Sequence, residues 1–235
     1  MRHYAIVLAA GKGSRMQSDI PKQYIKLCEK PILYYSLRAF EESFVDEIIL
    51  VTAKEDILYC QKEIVDAYGL KKVTRIVSGG SERYRSVYQG LLAAAGADYV
   101  YIHDGARPFL SQQILERARA CVEQHRACAA GMPVKDTIKI VDEDSFVVQT
   151  PARHLVWQVQ TPQVFAYAVV RDAYERLQQQ ENAQPVTDDA MVVERMLRMP
   201  VKLFEASYEN LKITTPEDLL LAEKLMEKSC WKKYE

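Results

Sequence analysis

The stretch Ala5-Ile-Val-Leu-Ala-Ala-Gly-Lys-Gly-Ser-Arg-Met16 decides the fold. Its first half, residues 5–9, is an unbroken apolar run, as expected of a strand buried on both faces of a sheet. Its second half is a glycine loop, in which backbone N–H groups can come close to an anion because Gly11 and Gly13 carry no Cβ. Outward from this unit, strand-like and helical patterns alternate. Residues 31–40 read as a helix with Pro31 in its first turn, 47–52 as a strand, and 56–68 as a helix closed by Gly69. Residues 73–77 read as a strand, 82–95 as a helix ending at Gly96, and 99–103 as a fourth strand. A helix over 112–124 and an apolar run over 127–134 follow. This alternation predicts an α/β fold, a parallel sheet with helices on both faces. Ligands of such folds bind beyond the carboxyl ends of the strands. That singles out the loops at 10–22, 78–86 and 104–108.

The segment 136–160 breaks the rhythm. Residues 137–141 and 145–149 flank the acidic turn Asp142-Glu-Asp144 and read as a β-hairpin. An isolated hairpin is marginal in water, so it is expected to pack on a partner subunit or on the rest of the chain. Helices resume over 167–180 and 188–197, with a strand over 201–205. A last helix is expected over about 216–228, with Thr215 as its N-cap and Pro216, Glu217 and Asp218 in its first turn. No repeat, low-complexity tract or linker divides the chain, so one domain is expected over 1–235.

The composition, 49% hydrophobic and 27% charged over 235 residues, excludes disordered and collagen-like classes. A formal net charge of −1 leaves no global field to draw the chain to nucleic acid or anionic lipid. Any anion site must therefore be local. The five cysteines, Cys28, Cys60, Cys121, Cys128 and Cys230, are odd in number and show no C-x-x-C spacing, which argues against a disulfide framework or structural zinc. With no apolar stretch long enough to span a membrane, a cytoplasmic protein with reduced thiols is expected.

The glycine loop fits neither common nucleotide motif. A dinucleotide-binding G-x-G-x-x-G would place its third glycine where Met16 stands, and would want an acid where the second strand ends in Val51-Thr52. The P-loop pattern is absent. The loop carries instead Arg15 and, seven positions on, Lys22 inside Pro21-Lys-Gln-Tyr24. A triphosphate attacked at its α-phosphorus builds charge on the bridging oxygen and the departing pyrophosphate, and needs cations on both sides. At ~4 Å and an effective dielectric of ~20, each cation–anion contact is worth ~4 kcal/mol before desolvation.

With L-A-A-G-x-G-x-R-M followed by P-K-Q-Y, the chain resembles the 2-C-methyl-D-erythritol 4-phosphate cytidylyltransferases of the non-mevalonate isoprenoid pathway. Hexose-1-phosphate nucleotidyltransferases share the loop idea, with a longer interval between arginine and lysine. The resemblance runs along nearly the whole chain. It continues through Gly79-Gly-Ser-Glu-Arg-Tyr-Arg-Ser-Val87, His103-Asp-Gly-Ala-Arg-Pro108 and Pro133-Val-Lys-Asp-Thr-Ile-Lys139. Gln160-Thr-Pro-Gln163, Thr187-Asp-Asp-Ala190 and Asn210-Leu-Lys-Ile-Thr214 complete it. Together these motifs are highly specific.

The resemblance implies a Rossmann-like nucleotidyltransferase fold with a mixed, mostly parallel sheet and a protruding hairpin arm at 136–160. It implies transfer of CMP from CTP to 2-C-methyl-D-erythritol 4-phosphate, with Mg²⁺ as cofactor and pyrophosphate as leaving group. It also implies roles. Ala9, Ala10, Gly11 and Gly13 would cradle the triphosphate, while Arg15, Lys22 and Lys212 would be catalytic. Gly80, Ser81, Arg83 and Ser86 would frame the cytosine, although several members carry an acidic residue where this chain has Ser81. Asp104 would serve both the metal and the substrate hydroxyls; a lone carboxylate beside phosphates suits Mg²⁺. Arg107 would either touch substrate or brace its loop. Thr137 and Arg153 would cross to the second subunit of a homodimer and hold the polyol phosphate there, with Thr161 at the same mouth. Asp188 and Asp189 stand at a helix start, where carboxylates are favoured, and are read first as structural.

Two alternatives stay open on the residues alone. One is a pentitol-phosphate enzyme using ribitol 5-phosphate, whose members tend towards L-A-G-G in the first loop and depart from Ser86-Val-Tyr-Gln-Gly-Leu91. The other is a nucleotide sensor that does no chemistry, against which Arg15, Lys22 and Lys212 all speak.

Overall fold

The apolar run at the amino end forms strand β1 (His3–Ala9), in which Ala5, Ile6 and Val7 are fully buried. Its alternate side chains enter different cores: Ala5 and Val7 pack in one layer of apolar residues, Tyr4 and Ile6 in the other. A strand with two apolar faces needs helices on both. The computed structural model, described over residues 1–11, 13, 16, 20–180 and 185–228, supplies them. Arg15 and Cys230 lie outside the described residues.

After β1 come α1 (Ile32–Glu41), β2 (Glu47–Thr52), β3 (Val73–Ser78), α2 (Arg83–Ala93), β4 (Tyr99–Asp104), α3 (Gln112–His125) and β5 (Ala127–Pro133). The second half adds β6 (Trp157–Ala166), α4 (Tyr167–Gln178), α5 (Asp189–Leu197), β7 (Lys202–Glu205) and α6 (Pro216–Met226). The seven strands form one sheet in the order β7-β5-β6-β4-β1-β2-β3. β1 pairs in parallel with β2 on one side and β4 on the other. After β3 the chain crosses back over β1 to lay down β4, so the order reverses there. That reversal opens a crevice at the carboxyl ends of β1 and β4.

Most of the expected elements are present within a residue or two, and four points differ. First, β6 was not expected as a strand; it is antiparallel to both neighbours, β4 and β5, and gives the mixed, mostly parallel sheet that the resemblance implies. The Gln160-Thr-Pro-Gln163 stretch hid this strand. Pro162 has no ladder donor and sits where the pairing register shifts between Val159 and Gln163. Second, the expected helix over 56–68 is a broken run: a 3₁₀ turn Lys54–Asp56, α-helix Ile57–Tyr59 and a wider-wound segment Cys60–Asp66. Cys60, Ile64 and Val65 are buried in this winding and would be in an α-helix too, so apolar spacing alone cannot tell the two apart. Third, the hairpin pairs only Ile140–Val141 with Val147–Gln149; Asp142 Oδ1 takes the amides of Asp144 (3.1 Å) and Phe146 (2.9 Å) in the turn. Thr137 is outside the ladder. Fourth, where the resemblance implies a strand before the last helix, Lys212 lies on a loop with no strand pairing.

The start of α6 is as expected: Asp218 accepts from the amides of Thr214 and Thr215, at 2.8 and 2.9 Å, and Pro216 occupies the first turn. No helix among the described residues is long and apolar enough to cross a membrane.

Candidate functional site

Three of the strand ends converge on the crevice. Beyond β1, Ala10 and Gly11 lead to the Pro21–Tyr24 turn, which is bolted down by its own polar residues. Gln23 Nε2 donates to the Ala9 carbonyl at 2.7 Å, and the Tyr24 hydroxyl sits 2.9 Å from Thr52 Oγ1 at the end of β2 and donates to Asp56 at 3.1 Å. Between those anchors Lys22 faces the crevice, its Nζ 3.2 Å from the Ile213 carbonyl. Gly13 has φ +65° and would bring a Cβ to 3.1 Å from the stem of Lys22, so its lack of a side chain serves both the turn and the lysine.

Beyond β3, Gly79 passes close to β1: a Cβ there would lie 2.6 Å from Ala10 Cβ and 2.7 Å from Ser86 Oγ. Ser86 is buried, and its hydroxyl accepts from the Gly80 amide at 3.1 Å, which shapes the turn before α2. These loops, with Lys22, Ser81, Arg83, Asp104 and Lys212, enclose a cavity of about 490 Å³. That is ample for a nucleotide-sized ligand. A second cavity of about 290 Å³ lies against Arg107, Thr161, Gln163 and Asp188. The two cavities share Arg83, Asp104 and Lys212.

Asp104 closes β4 with a side chain only 10% exposed. Its Oδ2 lies 2.8 Å from Lys212 Nζ and 3.8 Å from Arg107 Nε, and its Oδ1 lies 3.5 Å from Arg83 Nε. Burial alone would raise its pKa, but Arg83, then Lys212 and Arg107, outweigh burial and hold the carboxyl far below the usual carboxylate range. Its backbone amide donates to Thr161 Oγ1 at 3.1 Å, and Thr161 in turn meets His103 Nδ1 at 3.1 Å. His103 is fully buried, and burial pushes its pKa down to about 4, so the imidazole is neutral near pH 7. Arg107 NH1 donates to the Asn210 carbonyl at 2.8 Å and so braces the loop carrying Lys212, while its buried Nε has no hydrogen-bond acceptor. Burial lowers its pKa in the first place, and Asp104 partly restores it.

The structure thus brings together Ala10, Gly11, Lys22, Gly80, Ser81, Arg83, Ser86, Asp104, Arg107, Thr161 and Lys212 around the two cavities. Ala9 and Gly13 line neither cavity: the Ala9 carbonyl holds Gln23, and Gly13 leaves room for the stem of Lys22. Arg83 meets the site differently from the expected base contact, because two of its donors are taken by Asp189, at 2.8 Å each. Thr137 and Arg153 line neither cavity. Both are exposed on the 136–160 segment, where Arg153 NH1 donates to the Lys135 carbonyl at 3.3 Å. Gln163 was not among the expected site residues, though it lies in the quoted Gln160-Thr-Pro-Gln163 motif. Lys54 and Glu55, which also line the first cavity, carried no motif.

A family model described as 2-C-methyl-D-erythritol 4-phosphate cytidylyltransferase matches residues 3–228. A protein of that name from Lachnospira eligens is 54% identical over 219 residues, covering 93% of this chain and 96% of the relative. One from Clostridium botulinum is 46% identical and covers 97% and 98%. Among solved structures, 4-diphosphocytidyl-2C-methyl-D-erythritol synthase from Anaerococcus prevotii superposes with a TM-score of 0.84 at 32% identity, covering 97% of this chain and 99% of that one. The Thermus thermophilus 2-C-methyl-D-erythritol 4-phosphate cytidylyltransferase gives 0.76 at 28% identity, over 95% and 98%.

Proposed function

The chain belongs to the 2-C-methyl-D-erythritol 4-phosphate cytidylyltransferase family, and on that premise we propose that the Arg83–Asp104–Lys212 wall is where the cytidylyl group passes from nucleotide to acceptor. The reaction is transfer of CMP from CTP to 2-C-methyl-D-erythritol 4-phosphate, giving 4-diphosphocytidyl-2-C-methyl-D-erythritol and pyrophosphate. The observation that carries the proposed geometry is the sharing of those three residues by two adjoining cavities. CTP occupies the larger one, with its triphosphate over Ala10 and Gly11 and its base against Gly80, Ser81 and Ser86. The polyol phosphate occupies the smaller one, near Arg107 and Thr161.

A phosphate monoester is already a competent nucleophile near neutral pH, so no general base is needed. Its oxygen attacks the α-phosphorus in line, the bond to the bridging oxygen breaks, and pyrophosphate leaves with the electron pair. Catalysis is then positioning and charge stabilisation. Lys22, from the Pro21–Tyr24 turn, and Lys212, from the loop before α6, are assigned to the reacting phosphate, and the sequence motif adds Arg15 to that set.

Nucleotidyltransferases that use CTP generally require a divalent metal. Among the described residues, no three His, Cys, Asp or Glu side chains gather to hold an ion. Of the described residues, Asp104 is the one carboxylate lining both cavities. Mg²⁺ is commonly held by one or two carboxylates together with substrate phosphates, so the residues fit an ion delivered on the triphosphate. When bound, it would neutralise phosphate charge. Asp104 would hold it, and Lys212 would turn from Asp104 to the phosphates.

The 136–160 arm is assigned to a homodimer, in which Thr137 and Arg153 reach the acceptor phosphate of the partner's site. The exposed apolar side chains of Phe146, Val147 and Val148 on a short hairpin support this. Incubation with CTP, Mg²⁺ and 2-C-methyl-D-erythritol 4-phosphate should release pyrophosphate, and chelation of the metal should stop it. Pyrophosphate release that ignores the acceptor would overturn the reading.

A further inference from the structure

α2 enters the site with its first residue, Arg83, and that residue is gripped from behind. Its NH1 and NH2 donate to Asp189 Oδ1 and Oδ2, both at 2.8 Å, in a fork-to-fork pair. Asp189 is fully buried in the first turn of α5, and the buried Tyr174 hydroxyl of α4 donates to its Oδ1 at 2.5 Å. On its other edge Arg83 Nε faces Asp104 Oδ1 at 3.5 Å. The chain Tyr174–Asp189–Arg83–Asp104–Lys212 therefore runs from the helical layer to the wall between the cavities.

The two adjacent aspartates have separate tasks. Asp188 caps α5 by accepting from Met191 N at 2.9 Å, accepts from Gln163 Nε2 at 3.0 Å, and lines the second cavity. Asp189 lines neither cavity and faces Arg83. A buried ion pair is a poor device for holding two helices together, because apolar side chains of the same volume do so without the desolvation cost. What a bidentate pair provides is orientation: it fixes the plane and azimuth of a planar guanidinium. Left to itself, an arginine at the first turn of a helix beside a cavity would have many rotamers.

We propose that Asp189, held in turn by Tyr174, is a positioning residue of this site: it aims Arg83 at Asp104 and so keeps the wall between nucleotide and acceptor in register. The proposal rests on the reading of that wall as the place of transfer. Its reach is physical rather than sequential, since Arg83 and Asp189 stand 106 residues apart.

The test is pyrophosphate release at steady state, with CTP and 2-C-methyl-D-erythritol 4-phosphate, for Tyr174→Phe, Asp189→Asn, Arg83→Gln and the double variant Asp189→Asn/Arg83→Gln. Rates are normalised to folded enzyme by thermal melting. Supporting shells of this kind change rates by about 10- to 100-fold, so Asp189→Asn should lower kcat by about 30-fold and Tyr174→Phe by about fivefold. Two residues acting as a unit do not add, so the double variant should match Arg83→Gln within about twofold. A merely structural anchor would lower the melting temperature, leave kcat per folded molecule at the wild-type value, and give losses that multiply in the double variant. Either of the last two results overturns the proposal. If Asp189→Asn does not fold, Tyr174→Phe alone and combined with Arg83→Gln makes the same comparison, since it keeps the ring and removes only the hydroxyl. A wild-type protein that releases no pyrophosphate would sink the transfer reading and this proposal with it. Full turnover in the variants would sink this proposal alone.

Discussion

The wall between the two cavities and the arm at 136–160 belong to one chain but are held in opposite ways. In the wall, charged groups meet one another inside the chain: Asp104 alone faces Arg83, Arg107 and Lys212. In the arm, the apolar side chains point outward, with Phe146 71% exposed, Val148 62% and Leu155 74%. The arm spends apolar surface on solvent, which a folded chain tolerates when another surface covers it. The wall's charges are therefore paired within one chain, whereas the arm's apolar side chains are left to solvent, and the proposed dimer would cover them.

Four substitutions, one of them within a pH series, can break or sharpen that contrast. The largest effect is expected on the wall side. Lys22→Ala should lower kcat by about 10³-fold, the loss typical of one preorganised donor on a developing charge, while CTP affinity changes less. A near-normal kcat in steady-state assays would remove Lys22 from the reaction. Next, Asp104→Ala should cost stability as well as activity, because it leaves Lys212 and the buried edge of Arg107 without their counter-charge. Removing one member of a buried ion pair costs about 3 kcal/mol or more, on the order of 10 °C in melting temperature for a chain of this size. An unchanged melting temperature would mean that the wall is not preorganised by its charges.

The arm should answer differently. Phe146→Asp should shift the protein from dimer to monomer in sedimentation equilibrium and raise KM for the polyol phosphate by about tenfold or more, while the protomer's own stability moves by less than about 0.5 kcal/mol. A wild-type chain that sediments as a monomer, or a variant that stays dimeric, would end the assignment of the arm.

The pH series concerns His103, whose ring meets Thr161 and the Arg107 carbonyl. Its pKa of about 4 lies beneath the ordinary 6.5 because of burial, so between those values the unfolded chain binds more protons than the folded one. Stability therefore falls as pH drops from 6.5 toward 4, by up to about 3 kcal/mol at the lower end. His3, also lowered by burial, acts in the same sense. Melting curves between ~pH 7.5 and ~pH 4.5 should show the decline, and His103→Gln should flatten it. A flat profile in the unmodified protein would refute the buried, neutral imidazole.

The alternating pattern of residues 5–134 was legible because apolar period and glycine position are local properties. β1 to β4 could be read from their apolar runs, and the loops after β1, β3 and β4 became suspects from topology alone. β6 was not legible, since Pro162 interrupts its period and its partners are brought in from β4 and β5. The site divided in the same way. Lys22, Asp104 and the glycines stand in local motifs. Asp189 read as a helix-start carboxylate, and nothing nearby in sequence identifies Arg83 as its partner.

By itself, the sequence determined the α/β class, the family and the short list of charged residues on which the chemistry depends. It did so because strand burial, helix caps and close backbone approach each leave a mark within a few residues. Only the tertiary structure decided which charges meet: that Asp104 takes Lys212 from a loop 108 positions away, that Arg83 turns to Asp189, and that one wall serves two cavities. Coulombic pairing depends on distance in space, and distance in space is set by the folding of the sheet rather than by any spacing along the chain.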